Sequence, residues 1–136
     1  CVDDRNGMLF NHRRQSRDQT VTEKIQELCQ GKILWMNEYS SSLYGNMHGV
    51  TVQCHENFPD QAESGDFALM ETVDPGNYKE RTEELILFCW NRIYPAQLFM
   101  TLDLSEWKQT EELEFEGTSH EKITMKKYIP YQNRTE

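Results

Sequence analysis

A mixed α/β fold is predicted by two features of the sequence. Helix-like and strand-like segments alternate in its first part, whereas strand-like segments follow one another in its last third. Alternation favours parallel strands joined by helices, and consecutive strands favour antiparallel pairing. A chain of 136 residues fits one domain with one core. We therefore predict a single domain over residues 1–136, with a three-layer mixed sheet that is parallel at its start, ends in an antiparallel hairpin and carries helices on its faces.

The first helix is the clearest predicted element. Its apolar residues recur at i, i+4, i+7 and i+8, the spacing of one buried helical stripe: they are Val21, Ile25, Leu28 and Cys29. Two capping boxes are available to start the helix, Ser16 with Gln19 or Thr20 with Glu23. Gly31 is expected to end it. Before the helix, Val2 indicates a first strand and residues 5–7 a turn.

Strands follow the first helix along the chain. Ile33 to Met36 is continuously apolar, as in a strand that is covered on both faces. Further strands are predicted at 50–54, 67–71, 85–91 and 98–104, with short helices near 40–45, 57–64 and 78–83. Cys54 is expected to point inward from its alternating strand.

The predicted C-terminal hairpin carries a row of glutamates. Glu111, Glu112, Glu114 and Glu116 partly alternate with apolar residues before Gly117 turns the chain. Such a charged face keeps a sheet edge from aggregating. An alternative interpretation makes the same face a contact surface for a basic protein partner.

Charge and hydropathy argue against several classes of protein. The net charge is −9, divided into +1 over residues 1–35 (six Lys/Arg, five Asp/Glu) and −10 over residues 36–136 (eight Lys/Arg, eighteen Asp/Glu). General nucleic-acid binding is therefore not expected, because an acidic surface repels the phosphate backbone. The longest apolar run, residues 85–90, is far shorter than the ~20 residues of a membrane helix. No membrane association is predicted.

The four cysteines predict reduced thiols in a cytoplasmic protein. Cys1, Cys29, Cys54 and Cys89 are widely spaced, and no C-x-x-C pair occurs. His48 and His55 lack the closely spaced partners that zinc sites usually show. We predict no metal site and no bound cofactor.

A basic loop precedes the first helix and is the main candidate site. Arg13, Arg14, Ser16 and Arg17 lie in it, directly before a predicted helix N-terminus. Backbone N–H groups and the helix dipole favour an anion at such a position, and arginine supplies bidentate donors for phosphate. The alternative is a solvated loop whose arginines offset neighbouring acids.

Three residues are candidates for acid–base chemistry. His120 and Glu121 follow the glycine turn of the hairpin, and a neutral histidine beside carboxylates can act as a base near pH 7. Asp18 follows the basic loop. The alternative for His120 is a residue that satisfies the backbone of the turn.

The opening and closing segments resemble those of dihydrofolate reductases. Val2-Asp3-Asp4 and the loop after it resemble the family's first strand and substrate loop, and residues 107–115 and 120–128 resemble its final hairpin. The resemblance implies a similar sheet and places Asp18 in the region of the family's substrate-loop aspartate. Ser64-Gly65-Asp66 stands near the position of the paired glycines that cradle the cofactor pyrophosphate in that family.

A second resemblance involves four segments, at 11–18, 34–37, 90–96 and 119–124. They resemble small uncharacterised bacterial proteins, some of which carry a ribonuclease Z label. The His-x-His-x-Asp-His metal motif of ribonuclease Z does not occur in this sequence. The resemblance implies a bacterial source and no metal-dependent nuclease.

Two functions of different kinds follow from these observations. One is a domain that binds a phosphate-bearing or nucleotide-like ligand at the basic loop, and a metal-independent phosphodiesterase or ribonuclease is a further alternative. The other is a non-catalytic acidic accessory or inhibitor protein that binds a basic partner. The sequence leaves open whether the protein is an enzyme and what its oligomeric state is.

Overall fold

A computed structural model describes residues 1–9, 18–91, 98–118 and 120–130. The strands are β1 Gly7–Leu9, β2 Ile33–Met36, β3 Thr51–Cys54, β4 Phe67–Ala68, β5 Leu85–Cys89, β6 Leu98–Phe99, β7 Trp107–Phe115 and β8 Ile123–Pro130. The α-helices are α1 Gln19–Leu28, α2 Glu38–Tyr44 and α3 Phe58–Gln61, and 3-10 helices span Pro75–Arg81 and Leu104–Glu106.

Among the described residues the strands form three small sheets, with the orders β1-β6, β3-β2-β4 and β5-β8-β7. Together with the helices they form a mixed α/β fold, which confirms the predicted fold class. β2 pairs in parallel with both β3 and β4, and Val2 forms a parallel bridge with Cys89 at the end of β5. β8 is antiparallel to β5 on one side and to β7 on the other. The short antiparallel pair of β1 and β6 was not predicted as a pair.

Alternation along β5 places its side chains in two hydrophobic clusters. Phe88 points to the first cluster and Leu87 to the second. In the first cluster the stripe of α1 packs against β2, β5 and β8, with buried members Val21, Ile25, Cys29, Leu34, Met36, Tyr44, Met47, Phe88, Trp90, Ile123 and Met125. The second cluster contains Val2, Met8, Leu85, Leu87, Met100, Leu102, Trp107 and Tyr128. Because strand side chains alternate between faces, one strand supports both clusters.

Helix α1 starts at a different cap from the two that were predicted. Its N-cap is Asp18, whose side chain accepts from the amides of Thr20 and Val21. Thr20 lies inside the helix, and Ser16 lies outside the described residues. Aspartate is as good a cap as serine, and it stands where the chain changes from extended to helical, with φ −109° and ψ 122°.

Cys54 is not buried, as an inward-pointing residue would be, so that prediction was wrong. Cys54 is exposed at the end of β3, whereas Val52, two residues earlier on the same face, packs against the first cluster. The strand therefore continues beyond the area that this cluster covers. The predicted strand at 67–71 is also shorter, because only Phe67–Ala68 pairs.

Candidate functional site

The N-terminus of α1 is closed by Asp18. This residue is 1% exposed, and its Oδ1 accepts from the amides of Thr20 at 2.9 Å and Val21 at 3.1 Å. Its carbonyl oxygen accepts the Thr22 amide at 3.0 Å. The amide of Gln19 donates to Oγ1 of Thr118 at 2.9 Å. The first four N–H groups of the helix are therefore all hydrogen-bonded within the chain.

The hairpin turn between β7 and β8 packs directly against this cap. The position that a β-carbon on Gly117 would occupy lies 2.5 Å from Oδ2 of Asp18 and 3.0 Å from the carbonyl oxygen of His120. The amide of Gly117 donates to the same His120 carbonyl at 3.0 Å. A glycine is needed here because the Asp18 side chain and the His120 carbonyl approach the backbone too closely to leave room for a β-carbon.

His120 is stacked on Trp90 at the end of β5. The ring centroids are 4.4 Å apart, and the ring planes differ by 20°. His120 is 7% exposed. Asn91, which follows Trp90 in the sequence, has a φ of 62°. Its side-chain amide donates to the Lys122 carbonyl at 3.2 Å and to Oγ1 of Thr124 at 3.0 Å.

These contacts bring three distant segments of the chain together. We call this group the α1 junction, and it comprises Asp18, Trp90, Asn91, Gly117, Thr118 and His120. It lies where β5 ends, beside the parallel bridge to Val2. In open α/β sheets, ligands bind outside the carboxyl ends of the strands. The α1 junction lies just beyond the carboxyl end of β5, which is parallel to Val2 at a single bridge and antiparallel to β8.

The predicted site residues have different outcomes. Arg13, Arg14, Ser16 and Arg17 lie outside the described residues. Asp18 and His120, predicted separately, meet in the α1 junction, while Glu121 is exposed beside it. The N–H groups at the start of α1, which were expected to be free, are hydrogen-bonded within the chain. The anion site at the basic loop stays a prediction.

A second polar group, which we did not predict, lies after β2 and β4. Oγ of Ser40, a residue that is 1% exposed, donates to Oε1 of Glu71 at 2.7 Å. Nδ2 of Asn37 donates to Oγ1 of Thr72 at 2.9 Å. The signal in the sequence is polar residues that come soon after two short apolar strands. The group ties α2 to the segment after β4.

The turn at Ser64-Gly65 holds a carboxylate from its own chain. The hydroxyl of Ser64 and the amide of Gly65 both donate to Glu83, and Gly65 has a φ of 90°. The hydrogen bond from Ser64, followed by that from Gly65, lowers the pKa of Glu83 below its ordinary value. The donors that stand near the place of the reductase glycines are thus used internally.

An open cleft of about 430 Å³ lies between α2 and β3. Cys54 lines it together with Ser41, and Sγ of Cys54 is 3.7 Å from Oγ of Ser41. Within the described residues, no three His, Cys, Asp or Glu side chains are grouped as a metal site. No helix in the same ranges has the length and apolar character needed to cross a bilayer.

The parallel and antiparallel strand pairs, together with the helices, define a mixed α/β protein. Comparison with solved structures shows which known fold it is similar to. The structure is similar to dihydrofolate reductase from Enterococcus faecalis complexed with NADP(H) and RAB-propyl, with a TM-score of 0.65. The match covers 96% of this chain and 92% of that chain at 10% sequence identity. It confirms the dihydrofolate reductase-type sheet. No protein-family model and no curated protein matches the sequence, and the resemblance to small bacterial proteins stays a prediction.

Proposed function

We propose that the protein binds a phosphate-bearing or nucleotide-like ligand beside the α1 junction, with Arg13, Arg14, Ser16 and Arg17 as the ligand-binding residues. The observation that carries this proposal is the position of Asp18, which follows Arg17 in the sequence and lies against the hairpin turn at Gly117. His120 of the same turn stacks on Trp90, the residue after β5. We therefore expect a ligand of the basic loop to bind near the carboxyl end of β5, since α/β proteins bind ligands at the carboxyl ends of strands.

The arginine side chains supply the binding in this proposal. The helix amides are already paired, so the anion has to be held by guanidinium groups, which bind phosphate through two parallel hydrogen bonds. The structural neighbour was solved with NADP(H), and NADP(H) is a phosphate-bearing dinucleotide. That complex supports a nucleotide-like ligand for a chain of this fold.

A thermal-shift and calorimetric screen tests the proposal. We expect stabilisation of about 2.7 kcal/mol when a nucleotide or phosphosugar is present at 100 times its Kd, which is a shift of several degrees. The double variant Arg13→Ala with Arg14→Ala should abolish the shift, because it removes two bidentate donors. The control Lys32→Ala with Lys108→Ala removes the same amount of charge at two exposed positions and should retain the ligand-induced thermal shift. If both double variants lose the shift equally, the ligand does not bind at a specific site.

Asp18→Asn separates the charge of Asp18 from its role as a cap. Asparagine caps helices as well as aspartate does, so the fold should persist while one negative charge next to Arg17 is removed. We expect the phosphate ligand to bind severalfold more tightly, about 1 kcal/mol, because a like charge near the anion is lost. Titration calorimetry of the wild type and the variant measures this difference. Unchanged affinity places the anion away from Asp18.

Tryptophan fluorescence tests whether the ring of His120 gains a proton as the pH falls. Trp35, Trp90 and Trp107 all contribute to the emission, and the His120 variant isolates the part that depends on the stacked ring. The stacked rings are 4.4 Å apart, close enough for a protonated imidazole to quench the indole. We expect emission to fall as the pH is lowered from 8 to 5, the range in which histidine titrates. His120→Gln should remove most of the fall, whereas the control His55→Gln, at an exposed position, should leave it intact. Identical pH profiles for His120→Gln and wild type contradict a titrating His120.

A further inference from the structure

Strand β7 is long and has a single partner strand among the described residues, β8. Trp107 at its start is buried, but all residues from Lys108 to Glu114 are exposed. Every second residue of such an edge strand directs its N–H and C=O groups away from its partner. With respect to residues 1–9, 18–91, 98–118 and 120–130, β7 therefore offers unpaired backbone donors and acceptors along one side.

A bulge limits the part of this edge that another strand can follow. The register shifts between Gln109 and Glu111, so that Thr110 has no partner in the ladder. From Glu111 to Phe115 the pairing with β8 is continuous. An added strand thus has about five residues over which to pair, close to the usual length of a strand.

The two faces of this stretch differ in chemistry. Glu112 and Glu114 point to one face, because they pair with Lys126 and Thr124. Leu113 points to the other face together with Glu111 and Phe115, and it lies opposite Met125 of the first cluster. Leu113 is 39% exposed, so a neighbouring apolar side chain would bury more of it.

The charges of the hairpin argue against a second copy of this chain as the partner. Antiparallel pairing of two β7 strands around Leu113 would place Glu112 opposite Glu114, and like charges directly opposite each other are destabilising. Lysines of the hairpin already contact two of the four glutamates, with Lys127 3.4 Å from Glu111 and Lys122 3.4 Å from Glu114. Positive side chains on the outer side continue that alternation of charge.

We propose that β7 binds an extended basic segment of another protein by strand addition along Glu111–Phe115. Lys or Arg side chains at alternate positions of the segment face Glu112 and Glu114, and an apolar side chain between them covers Leu113. Backbone hydrogen bonds hold the segment, and the alternation sets its register. This inference is independent of the phosphate site at the basic loop.

The test uses the full chain and a capped seven-residue peptide of alternating lysine and valine. We expect saturable binding, with amide protection from hydrogen exchange confined to β7. A block peptide of four lysines followed by three valines has the same composition and charge but should bind about fivefold more weakly, because it cannot place basic and apolar groups on opposite faces. Equal affinity for the two peptides overturns strand addition.

Matched protein variants complete the test. Glu112→Gln with Glu114→Gln should weaken the alternating peptide about fivefold through the loss of two cross-strand charge pairs. Glu23→Gln with Glu27→Gln makes the same change in net charge on exposed positions of α1. This double variant should bind the alternating peptide with an affinity within about twofold of that of the wild type. Equal weakening in both double variants overturns the proposal, as does the absence of binding at millimolar peptide.

Discussion

Gly117→Ala is expected to destabilise the protein by about 2–3 kcal/mol, a fall in Tm on the order of 10 °C. The added methyl group would collide with the side chain of Ile123 and would stand 2.5 Å from Oδ2 of Asp18. Ile123 is completely buried and cannot easily move, and a displaced Asp18 loses its hydrogen bonds to the start of α1. Chemical denaturation monitored by circular dichroism measures the change.

Gly31→Ala is the matched control for that variant. Gly31 has a φ of 72°, but nothing lies within 4 Å of the position of an added β-carbon. Its substitution should cost only the backbone strain of a left-handed residue, roughly 1 kcal/mol. A double-mutant cycle of Gly117→Ala with Asp18→Ala should be non-additive, since truncation of Asp18 removes one of the two collisions. Additive effects would contradict contact between the hairpin turn and the cap.

Asp74→Ala is expected to destabilise the protein by about 2–3 kcal/mol at pH 7. Oδ1 of Asp74 accepts from the amides of Gly76 at 2.9 Å and Thr101 at 3.0 Å, and Oδ2 accepts from the Thr101 hydroxyl at 2.6 Å. These bonds join the 3-10 helix at Pro75–Arg81 to a segment whose neighbouring residues, Met100 and Leu102, are buried in the second cluster. Without the carboxylate, the two amides lose their acceptor.

The stability difference between wild type and Asp74→Ala should depend on pH. Burial raises the pKa of Asp74, but hydrogen bonds from the Thr101 hydroxyl and from the Thr101 and Gly76 amides outweigh burial, so the pKa is lowered overall. The unfolded state then binds the proton more readily, and stability rises with pH between the two pKa values. The difference should be complete above the unfolded pKa of about 3.9 and should shrink as the pH falls through the lowered folded pKa. Urea titrations from pH 7 to pH 2.5 measure it, and a difference independent of pH contradicts an ionised Asp74.

Thr101→Val provides the control for the pH effect. It removes the hydroxyl donor to Asp74 and leaves the Thr101 amide in place. We expect a smaller loss of about 1 kcal/mol and a pH dependence shifted toward the ordinary pKa of aspartate, because one of the three hydrogen bonds that lower it is gone. The exposed Asp103, whose pKa is also lowered by its hydrogen bonds with Ser105, stays unchanged in this variant.

Local patterns in the sequence predicted the elements better than they predicted the site. The stripe through Val21 and Ile25 placed α1 correctly, since helical periodicity depends on residues only three or four apart. The cap was missed because Ser16, Asp18 and Thr20 are all good capping residues, and the choice depends on where the chain turns into the helix. The prediction that Cys54 points into the core was wrong. The alternation of apolar and polar residues along a strand shows which residues share a face, but it does not show how far the core extends beneath that face.

The sequence by itself determined the fold class, the positions of α1 and of the terminal hairpin, and the exposed row of glutamates on β7. These features follow from apolar periodicity and charge, which act between near neighbours along the chain. Only the tertiary structure decided that Asp18 meets the turn at Gly117, that His120 stacks on Trp90 and that the helix N–H groups are already paired. The bond between Gln19 and Thr118 spans 99 positions. Contacts of that kind depend on the path of the whole chain, and no local pattern specifies them.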